Sequence, residues 1–248
     1  MNNHHTAEHL FHGAFAEEYH FLMQISPQAA EMSRRVGAYV ADWVSPHPCN
    51  RLEVLEIGCG TGITTKCLEA GRNDIRIVSM DNAPAMLKQA RCHLAREIAE
   101  GRVELIETDA LSHLQAMPDN TLDVVASAYV FHNFLSGYRR HVLAEVLRVL
   151  KPGGVFVNGD RYAFDDPAEH LRSTQNEVKG WFRQFRAMNR LDLLEQWVVH
   201  LFSDESPEHI MPLATSRNEM LGLGFDDVRI HHREGVNTLL TGMKPWQG

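Results

Sequence analysis

The chain of 248 residues is 44% hydrophobic and carries 24 basic and 32 acidic side chains, a net charge of −8. This length and apolar fraction favour one large α/β domain and exclude a wholly disordered chain. The negative charge argues against a nucleic-acid partner, because a phosphate backbone is bound by clustered cations. The four cysteines form no C-x-x-C pair, and no apolar run is long enough to span a membrane. We therefore expect a cytoplasmic protein with free thiols and no membrane contact.

The fifteen histidines are scattered along the sequence. No H-x-x-x-H pair sits on an apolar face with a carboxylate partner, the pattern typical of a zinc site. We therefore expect no bound metal. The sequence leaves the oligomeric state open, with a homodimer among the alternatives.

Strands alternate with helices between residues 52 and 158. Apolar runs predict strands at 52–57, 75–80, 103–107, 122–128 and 155–158, and periodic segments predict helices over 62–70, 84–98 and 138–150. This alternation is typical of a doubly wound, mostly parallel, Rossmann-like α/β sheet. Strands at 228–233 and 238–243 are joined by so short a turn that they must pair antiparallel. The prediction is therefore a seven-stranded sheet that ends in a C-terminal antiparallel hairpin.

Two helical regions flank this alternation, within a single predicted domain over 1–248. Residues 1–45 predict an N-terminal helical cap, broken near Ser26-Pro27, where serine can cap one helix and proline can begin the next. Residues 160–212 are an aromatic-rich insertion with helices predicted near 167–185 and 190–202. The insertion follows the fifth strand and so emerges at the carboxyl edge of the sheet, where it packs on the core or forms a lid over a ligand.

A glycine-rich loop directly follows the first predicted strand. Residues 54–62 read V-L-E-I-G-C-G-T-G, with glycines at Gly58, Gly60 and Gly62. Glycine lets the backbone turn sharply and lets a ligand approach closely, which suits a dinucleotide, S-adenosylmethionine (SAM) or a plain tight turn. The carboxylate of Glu56, two residues before the first glycine, favours a cationic ligand such as SAM over a pyrophosphate.

Further candidate SAM contacts end the next three strands, where ligands bind in open α/β sheets. A carboxylate after strand two can accept the ribose hydroxyls, and the end of strand three can contact the adenine. The end of strand four lies beneath the sulfonium, which an aromatic ring can also face. In chain order, the candidates are Asp81, Asn82, Met86, Asp109, Ala110, Ser127 and Tyr129. An aspartate after a strand is also a common helix cap. The SAM prediction therefore rests on finding all of these residues together, in this order and at the ends of successive strands.

These segments, with Leu150-Lys-Pro-Gly-Gly154, resemble the class I SAM-dependent methyltransferases. Nearly the whole chain is also similar to the bacterial carboxy-SAM synthase family, most clearly at 81–86, at 160–166 and in the closing hairpin. The resemblance implies cofactor contacts at Gly58, Cys59, Gly60, Asp81, Asn82, Asp109, Ala110 and Ser127. The arginine with which that family grips the extra carboxylate aligns near Trp197-Val198, where no arginine stands. Ordinary SAM is therefore the expected cofactor.

Three residues are candidates for catalysis on a small-molecule substrate. His132, after strand four, can act as a general base. Alternatively, it lies on the surface or supports the site without contacting the substrate. Asn133 can hold a polar group of the substrate or cap the next helix. Tyr19, in the N-terminal cap, can face the sulfonium through its ring.

Three functions remain open from the sequence. The first is methyl transfer from SAM to a small-molecule acceptor. The second is a SAM lyase on the same fold. In that reaction the amine of SAM attacks the γ-carbon of the same molecule, so that the ring of azetidine-2-carboxylate closes and methylthioadenosine leaves. The third is a SAM-binding module without catalysis.

Overall fold

The central sheet is ordered β3-β2-β1-β4-β5-β7-β6 in this computed structural model, which describes residues 27–47 and 51–246. The first five strands pair parallel, and β7 lies antiparallel between β5 and β6. The strands are β1 (Leu52–Ile57), β2 (Ile75–Asp81), β3 (Val103–Glu107), β4 (Leu122–Ala128), β5 (Leu150–Arg161), β6 (Asp226–Glu234) and β7 (Asn237–Met243). The predicted fold class, with its antiparallel C-terminal hairpin, is confirmed.

Helices cover both faces of the sheet. They are α1 (Pro27–Asp42), α2 (Ile63–Ala70), α3 (Pro84–His93), α4 (Ala95–Ala99), α5 (Ala110–Ala116), α6 (Ser136–Val149), α7 (Pro167–Ala187), α8 (Leu191–Asp204) and α9 (Leu213–Leu223). A 3₁₀ turn, Phe131–Asn133, follows β4. Within the described ranges, no helix is both long and apolar enough to cross a membrane.

Alternate residues of the buried strands feed two separate cores. Leu55 and Ile57 of β1 face the cluster under α5, α6 and α9, whereas Leu52 and Val54 face the cluster under α1, α2 and α3. This division follows from the two-residue period of a strand whose faces are both covered by helices. The position after Val54 on the second face belongs to Glu56, which places a carboxyl group inside an otherwise apolar layer.

Three local features differ from the sequence prediction. The single helix expected over 84–98 is broken at Leu94, whose φ of −110° and ψ of 16° leave the helical region. The Leu94 side chain is buried against Gly62, where an added Cβ would lie 2.8 Å from its Cδ1. Helices α5 and α9 were not predicted, and β5 begins five residues earlier than expected, at Leu150.

Helix α1 packs on a face of the sheet instead of over its carboxyl edge. Met32, Val36 and Val40 are fully buried there, and Val36 reaches Gly159 of β5. The approach of α1 to α2 depends on Gly37, because a Cβ at this position would lie 2.5 Å from the carbonyl oxygen of Cys67. Residues 1–26 of the predicted N-terminal cap lie outside the described residues.

We expect Gly37→Ala to destabilise the protein by about 1–3 kcal/mol, because the added methyl group meets backbone that cannot move aside. Gly180→Ala is the matched control: it also replaces a helical glycine, but its Cβ meets nothing within 4 Å among the described residues. The control should gain about 0.5–1 kcal/mol from helix propensity. Urea unfolding of both variants measures the difference, and equal stability changes would contradict the packing argument.

Helices α7 and α8 form a hairpin with its own small apolar cluster. Trp181, Phe185 and Trp197 pack between the two helices, with ring centroids 5.3 Å apart for the two tryptophans. These aromatic residues therefore pack in a hydrophobic cluster, as the first of the two alternatives for the insertion states. Phe182 and Phe202 of the same hairpin are exposed.

Candidate functional site

The glycine loop turns the chain from β1 into α2 through three positive φ angles. Gly58, Gly60 and Gly62 have φ of 70°, 53° and 88°, a region that residues with a Cβ rarely adopt. A Cβ at Gly58 would also overlap the side chain of Val130, which follows β4. The first glycine therefore brings the end of β4 against the loop, while Cys59 is buried within it.

Asp81, the last residue of β2, ties this loop to the neighbouring strand. One carboxylate oxygen accepts the Gly60 N–H at 2.8 Å and the other accepts the Ala83 N–H at 2.9 Å. Burial raises the pKa of Asp81, although these backbone donors oppose the shift. Asn82 is exposed beside it, and Met86 is buried against Ala83. The predicted ribose acceptor therefore lies at the loop, where backbone N–H groups orient its carboxylate.

Glu56 lies beneath the loop, away from its open side. Its carboxylate is completely buried and accepts the hydroxyls of Thr65 and Ser79, both at 2.6 Å and both on Oε2. Its Oε1 is buried without a hydrogen-bond partner among the described residues. Burial raises the pKa of Glu56 to about 7, although the two hydroxyls oppose the shift. The charge that Glu56 offers a cationic ligand therefore varies around neutral pH.

This pKa predicts a pH-dependent stability that Glu56→Gln removes. Between pH 4.5 and about 7 the folded chain retains a proton that the unfolded chain has released, so Glu56 costs increasing stability as the pH rises. The full cost, on the order of 3 kcal/mol, is reached above pH 7. Glutamine mimics the protonated side chain, so the variant should gain on the wild type across this window. Urea unfolding at pH 4.5, 6 and 8 without SAM measures the gain, and a pH-independent difference would refute it.

Asp109 follows β3 and caps α5. Its Oδ1 accepts the Ser112 N–H at 2.9 Å and the Ser112 hydroxyl at 3.0 Å. Its Oδ2 accepts the hydroxyl of Tyr138 from α6, which in turn accepts the Leu111 N–H at 3.1 Å. The helix-cap interpretation of this aspartate therefore describes its contacts, and the adenine contact remains a prediction. Ala110 begins the capped helix.

The end of β4 carries three further candidates. Ser127 is buried and donates its hydroxyl to the Ile57 carbonyl at 3.1 Å, which joins β4 to β1. Tyr129 has a φ of 59°, rare for a bulky residue, and its hydroxyl donates to Asn237 of β7. The Asn133 amide donates to the Tyr129 carbonyl at 3.3 Å and so closes the 3₁₀ turn. None of these hydrogen bonds tests the ligand contacts predicted for the three residues.

His132 is buried in this turn and is held by Asp160 of β5. Its Nδ1 lies 2.6 Å from Asp160 Oδ1. Asp160 also accepts the backbone N–H groups of Phe131 and Arg161, both at 2.8 Å. Burial disfavours the charged imidazole, but Asp160 outweighs it and raises the pKa of His132 above its ordinary value. Of the two predicted catalytic residues that the structure describes, His132 contacts a carboxylate, whereas Asn133 donates to a backbone carbonyl. Tyr19 lies outside the described residues.

Additional ionisable groups surround His132, and the sequence analysis did not select them as site residues. Arg161 pairs with Glu177 through two hydrogen bonds of 2.7 and 3.0 Å, and Asp204 faces both Arg161 and His200. The sequence signal was the spacing of His200 and Asp204, which places them one turn apart on the same face of α8. Burial lowers the pKa of His200, although Asp204 opposes the shift.

A small cavity, partly open to solvent, lies at this cluster. Its walls come from the 3₁₀ turn, the end of β5, the α7–α8 hairpin and the segment before α9. The lining residues are His132, Arg161, Ala163, His170, Asp204, Glu205, His209, Ile210, Met211 and Val236. Because Val130 packs against Gly58, this cavity and the glycine loop are joined through the same turn.

The site's architecture agrees with comparisons to known proteins. Residues 55–158 match the family described as a methyltransferase domain. Carboxy-S-adenosyl-L-methionine synthase of Klebsiella pneumoniae is 28% identical over 156 residues, 61% of this chain and 59% of that protein. The Pectobacterium atrosepticum enzyme of the same name is 34% identical over 122 residues, 46% and 45% of the two chains. The chain thus spans about half the length of the curated relatives it matches.

A solved structure shows the same fold over nearly the whole chain. An O-methyltransferase family protein from Burkholderia thailandensis superposes with a TM-score of 0.69 at 16% identity, covering 98% of this chain and 64% of that one. Residues 55–158 therefore match a methyltransferase domain, the chain shares the fold of the O-methyltransferase family protein, and it distantly resembles the carboxy-SAM synthases. The methyltransferase-domain match and the carboxy-SAM synthase relatives imply S-adenosylmethionine as the cofactor or substrate.

Proposed function

We propose that this chain transfers the methyl group of SAM to a small-molecule acceptor. The observation that carries the proposal is the buried pair of His132 and Asp160, in which His132 lines a small cavity at the carboxyl edge of the sheet. That edge is where open α/β sheets bind their ligands. His132 follows Val130 by two residues, and the Val130 side chain packs against Gly58 of the glycine loop, so His132 is placed to take the proton of an acceptor.

The residues of the loop fit SAM. The glycines let its amino-acid part approach the backbone, and Asp81 offers its carboxylate to the ribose hydroxyls at the end of β2. Met86, buried near the same edge, offers an apolar surface to the adenine, and Asp109 with Ala110 offers polar groups to its rim. SAM supplies an electrophilic methyl group on a positively charged sulfur.

The reaction needs no covalent bond to the protein. An acceptor lone pair forms a bond to the methyl carbon while the carbon–sulfur bond breaks, and its electron pair stays on sulfur. The products are S-adenosylhomocysteine, the methylated acceptor and one proton. The chain must hold the acceptor atom about 3–3.5 Å from the methyl carbon. It must also accept the released proton, and His132 is the candidate base.

Two observations favour ordinary SAM over the carboxylated form. Trp197 and Val198, where the carboxy-SAM synthase family has its carboxylate-gripping arginine, pack in the apolar cluster of the α7–α8 hairpin. The nearby Arg161 presents its guanidinium fork to Glu177. A carboxylated sulfonium would have to displace that buried pair to gain a bidentate partner.

The surrounding elements support a small acceptor. The cavity lies beneath the α7–α8 hairpin, which we propose is a lid within one domain formed by the whole chain. Its carboxylates and the net charge of −8 disfavour a nucleic-acid acceptor.

The test is the identity of the nucleoside that the protein forms from SAM. We expect S-adenosylhomocysteine when SAM is supplied with a panel of small phenols, amines and carboxylic acids, with product analysis by mass spectrometry. Methylthioadenosine from SAM alone would overturn the proposal in favour of the lyase. Tight SAM binding without any product would overturn it in favour of a binding module.

A further inference from the structure

Three potential metal ligands converge on the cavity at His132. His132 comes from the 3₁₀ turn after β4, whereas His200 and Asp204 come from the last two turns of α8. One ligand atom from each residue lies within 4.8 Å of those of the other two. His200 Nε2 is 3.6 Å from Asp204 Oδ1, and the centroids of the two imidazole rings are 6.4 Å apart.

We propose that His132, His200 and Asp204 bind a divalent transition-metal ion of the Zn²⁺ or Fe²⁺ class. Two imidazoles and one carboxylate form a donor set that suits these ions better than Mg²⁺ or Ca²⁺, and three protein ligands leave open positions for a substrate. Metal–nitrogen bonds of about 2.0–2.1 Å place tetrahedral ligands about 3.3 Å apart. The His200–Asp204 pair is already near this separation, so the remaining closure comes from a rotation of the His200 ring toward His132.

The surroundings of His132 are those of a metal-binding histidine. Its Nδ1 faces Asp160, so the neutral ring carries its proton there and keeps a lone pair on Nε2 with which to bind an ion. Ligating histidines usually donate their other N–H to a carboxylate or carbonyl, which fixes both the tautomer and the ring orientation. Asp160 is itself fixed by two backbone N–H groups, from Phe131 and Arg161.

The local charge also favours a cation. Three carboxylates, those of Glu177, Asp204 and Glu205, face the guanidinium of Arg161. A fourth, that of Asp160, pairs with His132. Asp204 divides its oxygens between two neighbours, because Oδ1 faces His200 whereas Oδ2 lies 3.9 Å from the Arg161 guanidinium. The carboxylate can therefore bind an ion through Oδ1 without giving up Arg161. His170, held by Glu205 at 2.6 Å, faces the same cavity.

The role of the ion rests on the proposed function, although its binding does not. An ion at His132 Nε2 would lower the pKa of an acceptor hydroxyl that reached one of its open positions. His132 would then act as a ligand and not as a free base. His132 cannot be a metal ligand and a free general base at the same time. Substitution of His200 distinguishes the two roles, because only the metal site requires His200.

The test is the titration of metal-free protein with Zn²⁺ by calorimetry and with Co²⁺ by visible absorption. The wild type should bind one equivalent that His200→Ala lacks, and Asp204→Asn should weaken the same equivalent at least tenfold. Asp160→Asn should weaken it about 10–100-fold through the orientation of His132. The N-terminal histidines His4, His5, His9 and His12, which lie outside the described residues, are present in the wild type and in every variant. The result is therefore the difference in metal stoichiometry and affinity between the wild type and each variant.

His141→Ala is the matched control, since this histidine is exposed on α6. It should retain the full stoichiometry, and thermal unfolding of the metal-free variants should show that each is folded. Equal stoichiometry and affinity in wild type and His200→Ala would overturn the site, whether or not the chain transfers methyl groups. If the site binds but chelation leaves the rate of S-adenosylhomocysteine formation unchanged, the ion's catalytic role is wrong and the proposed function stands.

Discussion

Replacing Asp81 by alanine is expected to weaken SAM binding about 10–100-fold, the cost of losing hydrogen bonds to a charged acceptor. The carboxylate stands at the end of β2, where its two oxygens hold the N–H groups of Gly60 and Ala83. Its removal therefore withdraws the proposed ribose acceptor and also frees the glycine loop from β2. Isothermal titration of SAM measures the affinity directly.

Two further variants separate these effects. Asp81→Asn retains one carbonyl oxygen for the backbone, so it should lose less affinity than alanine. Asp119→Ala removes an exposed carboxylate at the opposite edge of the sheet, beside the start of β4, and should bind SAM like the wild type. An unchanged affinity in Asp81→Ala would exclude Asp81 from the SAM site.

The fold was largely predictable because its signals are local. The strand boundaries at Leu52–Ile57, Val103–Glu107 and Leu122–Ala128 match those predicted, since each is an apolar run ended by polar residues or glycine. The short turn before β7 was enough to establish the antiparallel hairpin. The break at Leu94 was not visible, because it depends on the burial of this side chain against Gly62, more than thirty residues earlier.

The site was predictable in its position more than in its contacts. The sequence identifies which residues end the parallel strands, and these residues do meet at one edge. It does not show that Ser79 and Thr65 hold Glu56 beneath the loop, or that Tyr138 occupies one oxygen of Asp109. Such pairs join residues far apart in the chain and follow no sequence period.

His132 illustrates the same limit at the acceptor side. Its sequence neighbours left open whether His132 is a general base or has no part in the reaction. The distinction depends on its contact with Asp160, which lies 28 residues further along the chain. The residues that surround it from α8 depend on how the α7–α8 hairpin folds back over β5. No pattern within a single element contains that information.

Asp160→Asn is expected to lower kcat/KM for methyl transfer about 10²–10⁴-fold, the range of a lost proton-handling group. Both oxygens of Asp160 face donors: Oδ1 accepts from Arg161 and contacts His132, while Oδ2 accepts from Phe131. An asparagine has a single oxygen. If that oxygen serves Phe131, the amide N–H₂ faces Nδ1 and forces the proton of His132 onto Nε2. That tautomer has no lone pair on Nε2, so both proton transfer and metal binding through Nε2 first require the proton to leave this nitrogen.

The measurement separates this loss from a general structural effect. The rate of S-adenosylhomocysteine formation is compared between the variant and the wild type, with the best acceptor from the product screen. SAM affinity by calorimetry should stay within a few-fold of the wild type, because Asp160 lies outside the glycine loop. Asp166→Asn, an exposed substitution of the same type at the N-cap of α7, should retain the full rate. An Asp160→Asn enzyme as fast as the wild type would remove the His132–Asp160 pair from the reaction, because its chemistry depends on the carboxylate behind the imidazole.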